Sequence, residues 1–348
     1  MKKTIIRVLS VVLVVAMIAG CGGGATSTAP AAPAASGAAP AAPAAPAKEK
    51  PKNLVIASGN SGGTYYYIGA GQAKILTDKL GNGYSVTTES TSGSPVENGT
   101  FVQEDAGTLG IITLDGLYEG LAGSEARGFM DGPIDNATLI QVGHDLILYC
   151  VTLQGNGIES IADLKGKKIS LPTVGNTAYF QAVGILEQYG ITLNDCTATP
   201  MVYSEAADAL KDGTLDAVWI AGGIPQAAVT DLDTTKDIKL LTIDENMVSK
   251  ITDAYPYWGI KTLPGGTYSD QKEDINIMVS TVVMAANKNL DDDLVYNITK
   301  ILNESVDELA GIHANGADWN ADATFAVMEQ NIVPVHPGAQ RYYDEIAK

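Results

Sequence analysis

Two short turns contain the residues with the clearest potential for binding chemistry. The first, residues 58–64, has the sequence SGNSGGT, and the second, residues 172–177, has the sequence PTVGNT. Each turn follows an apolar run typical of a strand and precedes a run with helical spacing. Free backbone N–H groups and the positive end of the helix dipole meet at such a junction. If the two turns face each other across a cleft, they can bind a small carboxylate from both sides.

The composition of these turns also has a purely structural explanation. Glycine, serine and asparagine are favoured between a strand and a helix for steric and capping reasons, whether or not a ligand binds. The two turns occupy equivalent positions, each after a strand of its own α/β unit. That arrangement favours binding, because ligands of parallel sheets lie beyond the carboxyl ends of the strands.

The first turn also allows an enzymatic interpretation. Residues 59–63 match the G-x-S-x-G pattern of the nucleophile elbow in α/β-hydrolases. Ser61 would then be the nucleophile, with His313 or His336 as the base and Asp318 as the acid. However, only a low-complexity segment precedes the first strand, and the HGGG-type oxyanion motif is missing from the sequence. We therefore keep a lipid-anchored serine hydrolase as the alternative function, and we expect that the protein is not an enzyme.

Two further groups of residues allow a structural as well as a functional interpretation. Tyr255, Tyr257 and Trp258 fall where the chain is predicted to recross between lobes, so they suit either a cleft wall or ordinary packing. His336 is flanked by prolines that fix the backbone, and we expect it to pack and to bond to the local backbone.

The order of apolar segments indicates the elements that position both turns. From Asn53, strand-like and helical runs alternate in a β-α-β-α-β series, which predicts a parallel sheet with right-handed crossovers. The series restarts at Lys168. Between the two series, a long apolar strand is predicted at residues 139–153, broken at residues 143–145.

The last part of the chain is predicted to return to the first sheet. A strand at residues 275–286 precedes helical segments that need a sheet to cover. We therefore predict that lobe I consists of residues 53–149 and 257–348, and that lobe II is inserted as residues 150–256. The predicted fold class is α/β, with two mainly parallel sheets flanked by helices and a hinge between the lobes.

The charge of the chain excludes several classes of partner. The formal net charge is −18, and residues 1–20 contain three positive and no negative charges. Nucleic acid and anionic membrane surfaces attract basic patches, so neither is expected as a partner. After residue 20 the sequence contains only two arginines, Arg127 and Arg341. An anionic ligand must therefore be bound mainly by backbone dipoles, neutral donors or a lysine.

The three cysteines and three histidines indicate neither a disulfide framework nor a metal site. If Cys21 carries lipid, Cys150 and Cys196 remain; their number permits one disulfide, but we favour two free thiols. The histidines are far apart in sequence and have no cysteine or carboxylate at ligand spacing. We expect no metal, no cofactor and a monomer.

The N-terminal segment predicts the location of the protein. A basic head and an apolar run end in Ile-Ala-Gly-Cys at residues 18–21, which resembles a bacterial lipobox. The apolar run is shorter than the about 20 residues that a membrane-spanning helix needs, and it contains Arg7. We predict a signal peptide at residues 1–20, lipidation of Cys21 and an Ala/Pro-rich linker at residues 21–52. The folded part would then lie outside the cytoplasmic membrane, anchored to its outer face.

Seven segments, in this order, resemble the signature segments of TAXI-type solute receptors of TRAP transporters. They are SGNSGGTYYYIG, TSGSPVENGTF, LGIITLDGLY, IADLKGKKISLPTVGNTAYF, LDAVWIAGGIPQAAVTDL, DDLVYNITKIL and VPVHPGAQRYYDE. The resemblance implies a type II periplasmic-binding-protein fold that closes on its ligand by a hinge motion. It also implies delivery of a small anionic or zwitterionic solute, such as glutamate, glutamine or 2-oxoglutarate, to the membrane permease subunits of a TRAP transporter.

The same resemblance implies a set of ligand contacts around the cleft. They are Ser61, Gly62, Thr64, Tyr65, Ser94, Val96, Glu97, Asp115, Asn176, Thr177 and Gly222, and we add Tyr257 from the cleft wall. Glu97 and Asp115 are acceptors that suit an amino group, which slightly favours a zwitterionic amino acid over a plain diacid. A purely structural or adhesive surface protein would suit the lipid anchor but would not need two matched turns.

Overall fold

The computed structural model describes residues 48–348, apart from residues 60, 62, 82 and 175. The described residues belong to one compact unit, Ala47–Lys348. The predicted signal peptide, the lipidation site Cys21, residues 21–47 of the predicted linker and the predicted ligand contact Gly62 all lie outside the described residues. No helix of the described part is long and apolar enough to span a bilayer.

Strands and helices alternate along most of the described chain. The strands are β1 Asn53–Ala57, β2 Ser85–Glu89, β3 Thr108–Thr113, β4 Ala137–Leu153, β5 Lys168–Leu171, β6 Thr197–Pro200, β7 Ala217–Gly222, β8 Ile238–Leu240, β9 Gly259–Leu263 and β10 Ile275–Asn287. The helices are α1 Thr64–Leu80, α2 Pro95–Glu104, α3 Leu114–Leu121, α4 Thr177–Gln188, α5 Tyr203–Lys211, α6 Ala227–Thr235, α7 Glu245–Ala254, α8 Asp292–Asn303, α9 Val306–Ile312, α10 Ala321–Gln330 and α11 Pro337–Ile346.

Two parallel sets of strands are joined by two long antiparallel strands. The path through the sheet is β2-β1-β3-β10-β4-β7-β5-β6. β1 pairs in parallel with β2 and β3, and β5 pairs in parallel with β6 and β7. β4 and β10 pair antiparallel with each other and with the parallel set that each borders. The predicted two-lobed α/β class is confirmed, and the two predicted sheets are continuous through β4 and β10.

The largest hydrophobic cluster contains residues of both lobes, such as Leu117 and Ile185, and each lobe also has a cluster of its own. In lobe I, Ile56 of β1 packs in one cluster with Leu294 of α8 and Tyr343 of α11, so the last helices cover the first sheet as predicted. In lobe II, Val218 of β7 packs in another cluster with Leu232 of α6. Burial of such side chains contributes roughly 1.5–3 kcal/mol each to folding.

The strand β4 passes from lobe I to lobe II with a bulge where a break was predicted. It is one strand across residues 143–145, but Asp145 faces Thr281 and Val142 faces Val283, so β4 has one extra residue at this point. Gly143 is also required for packing, because a Cβ there would lie 2.2 Å from Cε2 of Trp319. The glycine that suggested a break therefore lies in the bulge and makes room for an indole ring.

The end of the predicted linker lies against the folded part. Within residues 48–52, the Glu49 N–H donates to Asn289 O over 2.7 Å.

The lobe boundaries remain predictions, but Leu263 and Tyr268 pack with the lobe II core. That packing favours a second crossing inside β10 rather than at residue 257.

Candidate functional site

Both predicted turns line one cavity of about 710 Å³ between the lobes. The lining residues of lobe I are Gly59, Gly63, Thr64, Tyr65, Ser92, Gly93, Ser94, Pro95, Thr113 and Leu146, and those of lobe II are Thr173, Val174, Asn176, Thr177, Ala178, Gln181, Tyr203, Ala221 and Gly222. We call this the main cavity. The lobes touch at its base, where the Thr113 and Thr177 hydroxyl oxygens are 3.4 Å apart.

The first turn is fixed by hydrogen bonds from neighbouring elements. The Asn98 side-chain amide, buried on α2, donates to the carbonyl of Ser58 over 2.7 Å and to that of Ile111 over 2.8 Å. The Ser90 hydroxyl donates to the Gly59 carbonyl over 3.1 Å. These bonds occupy carbonyl oxygens and leave the N–H groups at the start of α1 unused. Those N–H groups are therefore available to a ligand in the cavity.

Five helices begin at the main cavity: α1, α2, α3, α4 and α5. The first turns of α2, α3 and α5 each contain an acidic residue. The first turns of α1 and α4 contain none; α1 follows Gly63, which has no side chain to cap the helix, and α4 is capped by the Asn176 side chain. The free N–H groups and positive ends of α1 and α4 therefore favour a negatively charged ligand.

Gln181 adds a buried donor that is aimed at the cavity. Its side chain is 2% exposed and lines the main cavity, yet its Nε2 has no hydrogen-bond partner among the described residues. A buried polar group left without a partner costs roughly 1–3 kcal/mol. A ligand oxygen near Nε2 removes that cost, so Gln181 is placed to bind an acceptor.

The lining of the main cavity is polar but uncharged. The residues that line it include no Asp, Glu, Lys, Arg or His. Burial raises the pKa of Tyr203 to about 12, and burial also raises the pKa of Tyr65, so both phenols stay protonated near neutral pH. The cavity therefore offers hydroxyl, amide and backbone donors rather than a counter-ion.

Six of the predicted ligand contacts line the main cavity: Thr64, Tyr65, Ser94, Asn176, Thr177 and Gly222. Ser61 is exposed beside the cavity, and its backbone N–H donates to the Ser90 hydroxyl over 3.1 Å. Whether these residues contact a ligand remains a prediction.

Asp115 does not line the main cavity, although the resemblance implied that it does. Its carboxylate is fully buried and accepts hydrogen bonds from Ser280 Oγ over 2.8 Å and from Arg127 over 2.5 Å. The Trp258 indole N–H lies 3.4 Å from the same carboxylate. Because these groups already satisfy the carboxylate, Asp115 is not presented to a solute in this structure.

Three other predicted contacts also lie outside the lining. Glu97 accepts hydrogen bonds from the backbone N–H and the hydroxyl of Ser92, and so stabilises the turn before α2. Val96 packs against the largest hydrophobic cluster. Tyr257 is buried and donates to Glu119, which supports the packing interpretation of that aromatic segment.

Sequence reasoning missed several lining residues, above all Gln181 and Tyr203. Gln181 lies four residues after Thr177, on the same face of the predicted helix, so helical spacing from the predicted contact pointed to it. Tyr203 begins α5 shortly after β6, so the strand-to-helix junction that marked the other two turns could also have pointed to it.

The residues of the alternative hydrolase site are used elsewhere. His336 Nδ1 accepts the Gly338 N–H and so caps the start of α11. Burial lowers the pKa of His336 to about 4. His313 Nδ1 accepts the Asn315 N–H, and its ring stacks on Tyr67. Among the described residues, neither histidine contacts Ser61. The expected packing of His336 against local backbone is confirmed.

The described residues that line the main cavity include no cysteine. Cys150 is buried and Cys196 is half-buried, and both are free. In the part of the chain that the structure describes, no group of three or more His, Cys, Asp or Glu side chains could hold a metal ion.

Comparison with known proteins supports this architecture. The structure is similar to that of a TctC solute binding protein from Polaromonas, with 14% identity, a TM-score of 0.54 and coverage of 85% of this chain and 98% of that one. It is also similar to XAC2383 from Xanthomonas citri bound to ATP, with 11% identity, a TM-score of 0.53 and coverage of 84% and 99%. These similarities show a shared fold. The family model described as the NMT1-like family matches residues 56–346, and the chain therefore belongs to the NMT1-like family.

Proposed function

We propose that this protein is an extracytoplasmic receptor that binds a small organic anion between its lobes and delivers it to a membrane permease. The observation that carries the proposal is the unpartnered Gln181 amide in a cavity where α1 and α4 begin without an acidic residue in their first turns. These neutral donors can replace the water around a carboxylate without an opposing full charge.

The solute that fits this lining carries at least one carboxylate. Glutamate, glutamine and 2-oxoglutarate are the candidates that the sequence resemblance suggested. Glu97 and Asp115 bond to other protein groups and are absent from the described lining of the main cavity, which weighs against their accepting an amino group there. The main cavity itself therefore favours the carboxylate end of a solute and gives no support to an α-amino contact.

Delivery and anchoring form the second part of the proposal. The segment resemblance to TAXI-type receptors supports a TRAP permease as the partner, and the lipobox-like residues 18–21 support a lipid anchor at Cys21. The folded part is attached from Lys48 onward to lobe I, where Lys48 pairs with Asp292 over 2.6 Å. A tether keeps a receptor concentrated near a permease in the same membrane.

A thermal-shift screen tests the proposed function. Protein freed of bound solute by unfolding and refolding is mixed with glutamate, glutamine, 2-oxoglutarate, C4-diacids and simple monocarboxylates. A ligand at about 100 times its Kd should stabilise the folded protein by about 2.7 kcal/mol, which raises Tm by several degrees. The proposal fails if refolded protein that melts cooperatively shows no shift with any small acid.

A further inference from the structure

A second cavity adjoins the main cavity. We call it the side cavity; it has a volume of about 390 Å³ and lies between lobe I and the end of β7. Adjacent residues line the two spaces: Leu146 and Gly222 line the main cavity, while Ile147 and Gly223 line the side cavity. The two spaces therefore border each other at β4 and at the end of β7.

His144 lies at the wall between the two cavities and has no partner. It lines the side cavity, and its ring is 5.9 Å from that of Tyr65, which lines the main cavity. The His144 side chain is 2% exposed, and within the described residues neither ring nitrogen has a hydrogen-bond partner. Burial lowers the pKa of His144 to about 4, so the neutral ring offers one nitrogen as an acceptor. An unsatisfied buried group of this kind indicates a missing ligand or water.

The charged side chains that line the side cavity have a net negative charge. Asp145 and Asp318 line the cavity together with one cation, Lys261. Lys261 pairs with Asp145, whose other oxygen accepts the Thr281 hydroxyl over 2.9 Å. Asp318 forms no ion pair with another described residue, and burial together with the nearby Asp145 raises its pKa. A positively charged group placed here would offset the repulsion between the two carboxylates.

We propose that the side cavity binds an ammonium group of a solute whose carboxylate lies in the main cavity. This inference rests on the proposed function, because it assigns the two ends of one solute to two adjoining spaces. Asp318 and Asp145 supply the negative charge, and the free His144 nitrogen accepts an N–H from the ammonium group. The solute class is then an amino acid whose amine is several bonds from the carboxylate, such as an ω-amino acid.

Matched pairs of solutes test this inference by isothermal titration of the full chain after removal of bound solute. Each pair has the same carbon chain, as in pentanoate and 5-aminopentanoate or hexanoate and 6-aminohexanoate, and glutarate and adipate carry a second carboxylate instead. We expect at least one amino member to bind about tenfold more tightly than its parent acid. Asp318→Asn should weaken binding of that amino member about fivefold or more and change binding of the parent acid less than about twofold.

Two variants separate this effect from a loss of folding. Asp322→Asn, an exposed position on α10 outside the cavity lining, is the matched control and should leave both affinities unchanged. His144→Asn is the second variant, and it should weaken binding of the amino member only. The inference is overturned, with the proposed function intact, if the parent acids or diacids bind as tightly as the amino members. If no carboxylate of any kind binds, the proposed function and this inference fall together.

Discussion

At the scale of single residues, the site is built from neutral donors. Arg127, one of the few arginines, is not available to a solute, because it pairs with Asp115 and its guanidinium carbon lies 4.4 Å from the centre of the Phe180 ring. Gln181 contributes a neutral amide to the lining of the main cavity. A neutral amide gives less affinity than a charge but costs less to desolvate, which suits a receptor that must release its solute.

Replacement of Gln181 by alanine should weaken solute binding. The variant removes a charge-assisted hydrogen bond to the carboxylate, so we expect a roughly tenfold rise in Kd, equal to about 1.4 kcal/mol. Gln188→Ala, on the same helix but outside the cavity lining, is the matched control. Isothermal titration with the best acid of the screen measures both, and equal effects of the two substitutions would contradict the assignment.

A histidine that is buried in its neutral form should make the free energy of unfolding depend on pH. The pKa of His336 is lowered from 6.5 to about 4, so below pH 6.5 the unfolded chain binds a proton that the folded chain does not. The free energy of unfolding should therefore fall by roughly 2 kcal/mol between pH 7.5 and pH 5 from this residue. Urea denaturation at several pH values measures the slope. His336→Asn should remove this contribution and leave that of His144, whose pKa is also lowered to about 4, so the slope should become about half as steep. An unchanged slope in the variant would show that other groups cause the effect.

At the scale of elements, local sequence signals predicted the turns and most helices, whereas long-range pairing decided the rest. The spacing from Thr64 and from Thr177 predicted α1 and α4 because helix periodicity and capping are local. The antiparallel pairing of β4 with β10 joins residues far apart in sequence, and apolar runs do not specify their partners. For the same reason, the sequence did not show that Asp115 bonds to Ser280 of β10.

Asp115 should act on stability because it ties α3 to β10 and to Trp258. Asp115→Asn leaves the Arg127 guanidinium, 12% exposed, without its counter-charge, and we expect a loss of about 3 kcal/mol in the free energy of unfolding. Asp131→Asn, an exposed carboxylate nearby in sequence, should change it by less than about 0.5 kcal/mol. Chemical denaturation compares the two variants, and similar effects would contradict a structural role for Asp115.

At the scale of the whole molecule, two lobes connected by β4 and β10 enclose the main cavity. The Thr113–Thr177 contact and the stacking of Arg127 on Phe180 both cross between the lobes. Contacts of this kind depend on the relative position of the lobes, and we expect a bound solute to add further contacts from both sides.

Binding should make the protein more compact in solution. We expect the radius of gyration from small-angle X-ray scattering to decrease when the solute-free protein is saturated with the best acid of the screen. The Gln181→Ala variant, measured at a solute concentration below its own Kd, is the control and should keep the larger radius. An unchanged radius in protein that demonstrably binds the acid would contradict closure by a hinge motion.

A crystal structure with the best-binding acid tests the central claim most directly. We predict a carboxylate oxygen within about 2.7–3.2 Å of Gln181 Nε2 and of backbone N–H groups at the start of α1 or α4. The claim would be contradicted by a solute bound outside the main cavity, or by a carboxylate paired with Arg127 after Asp115 has released it.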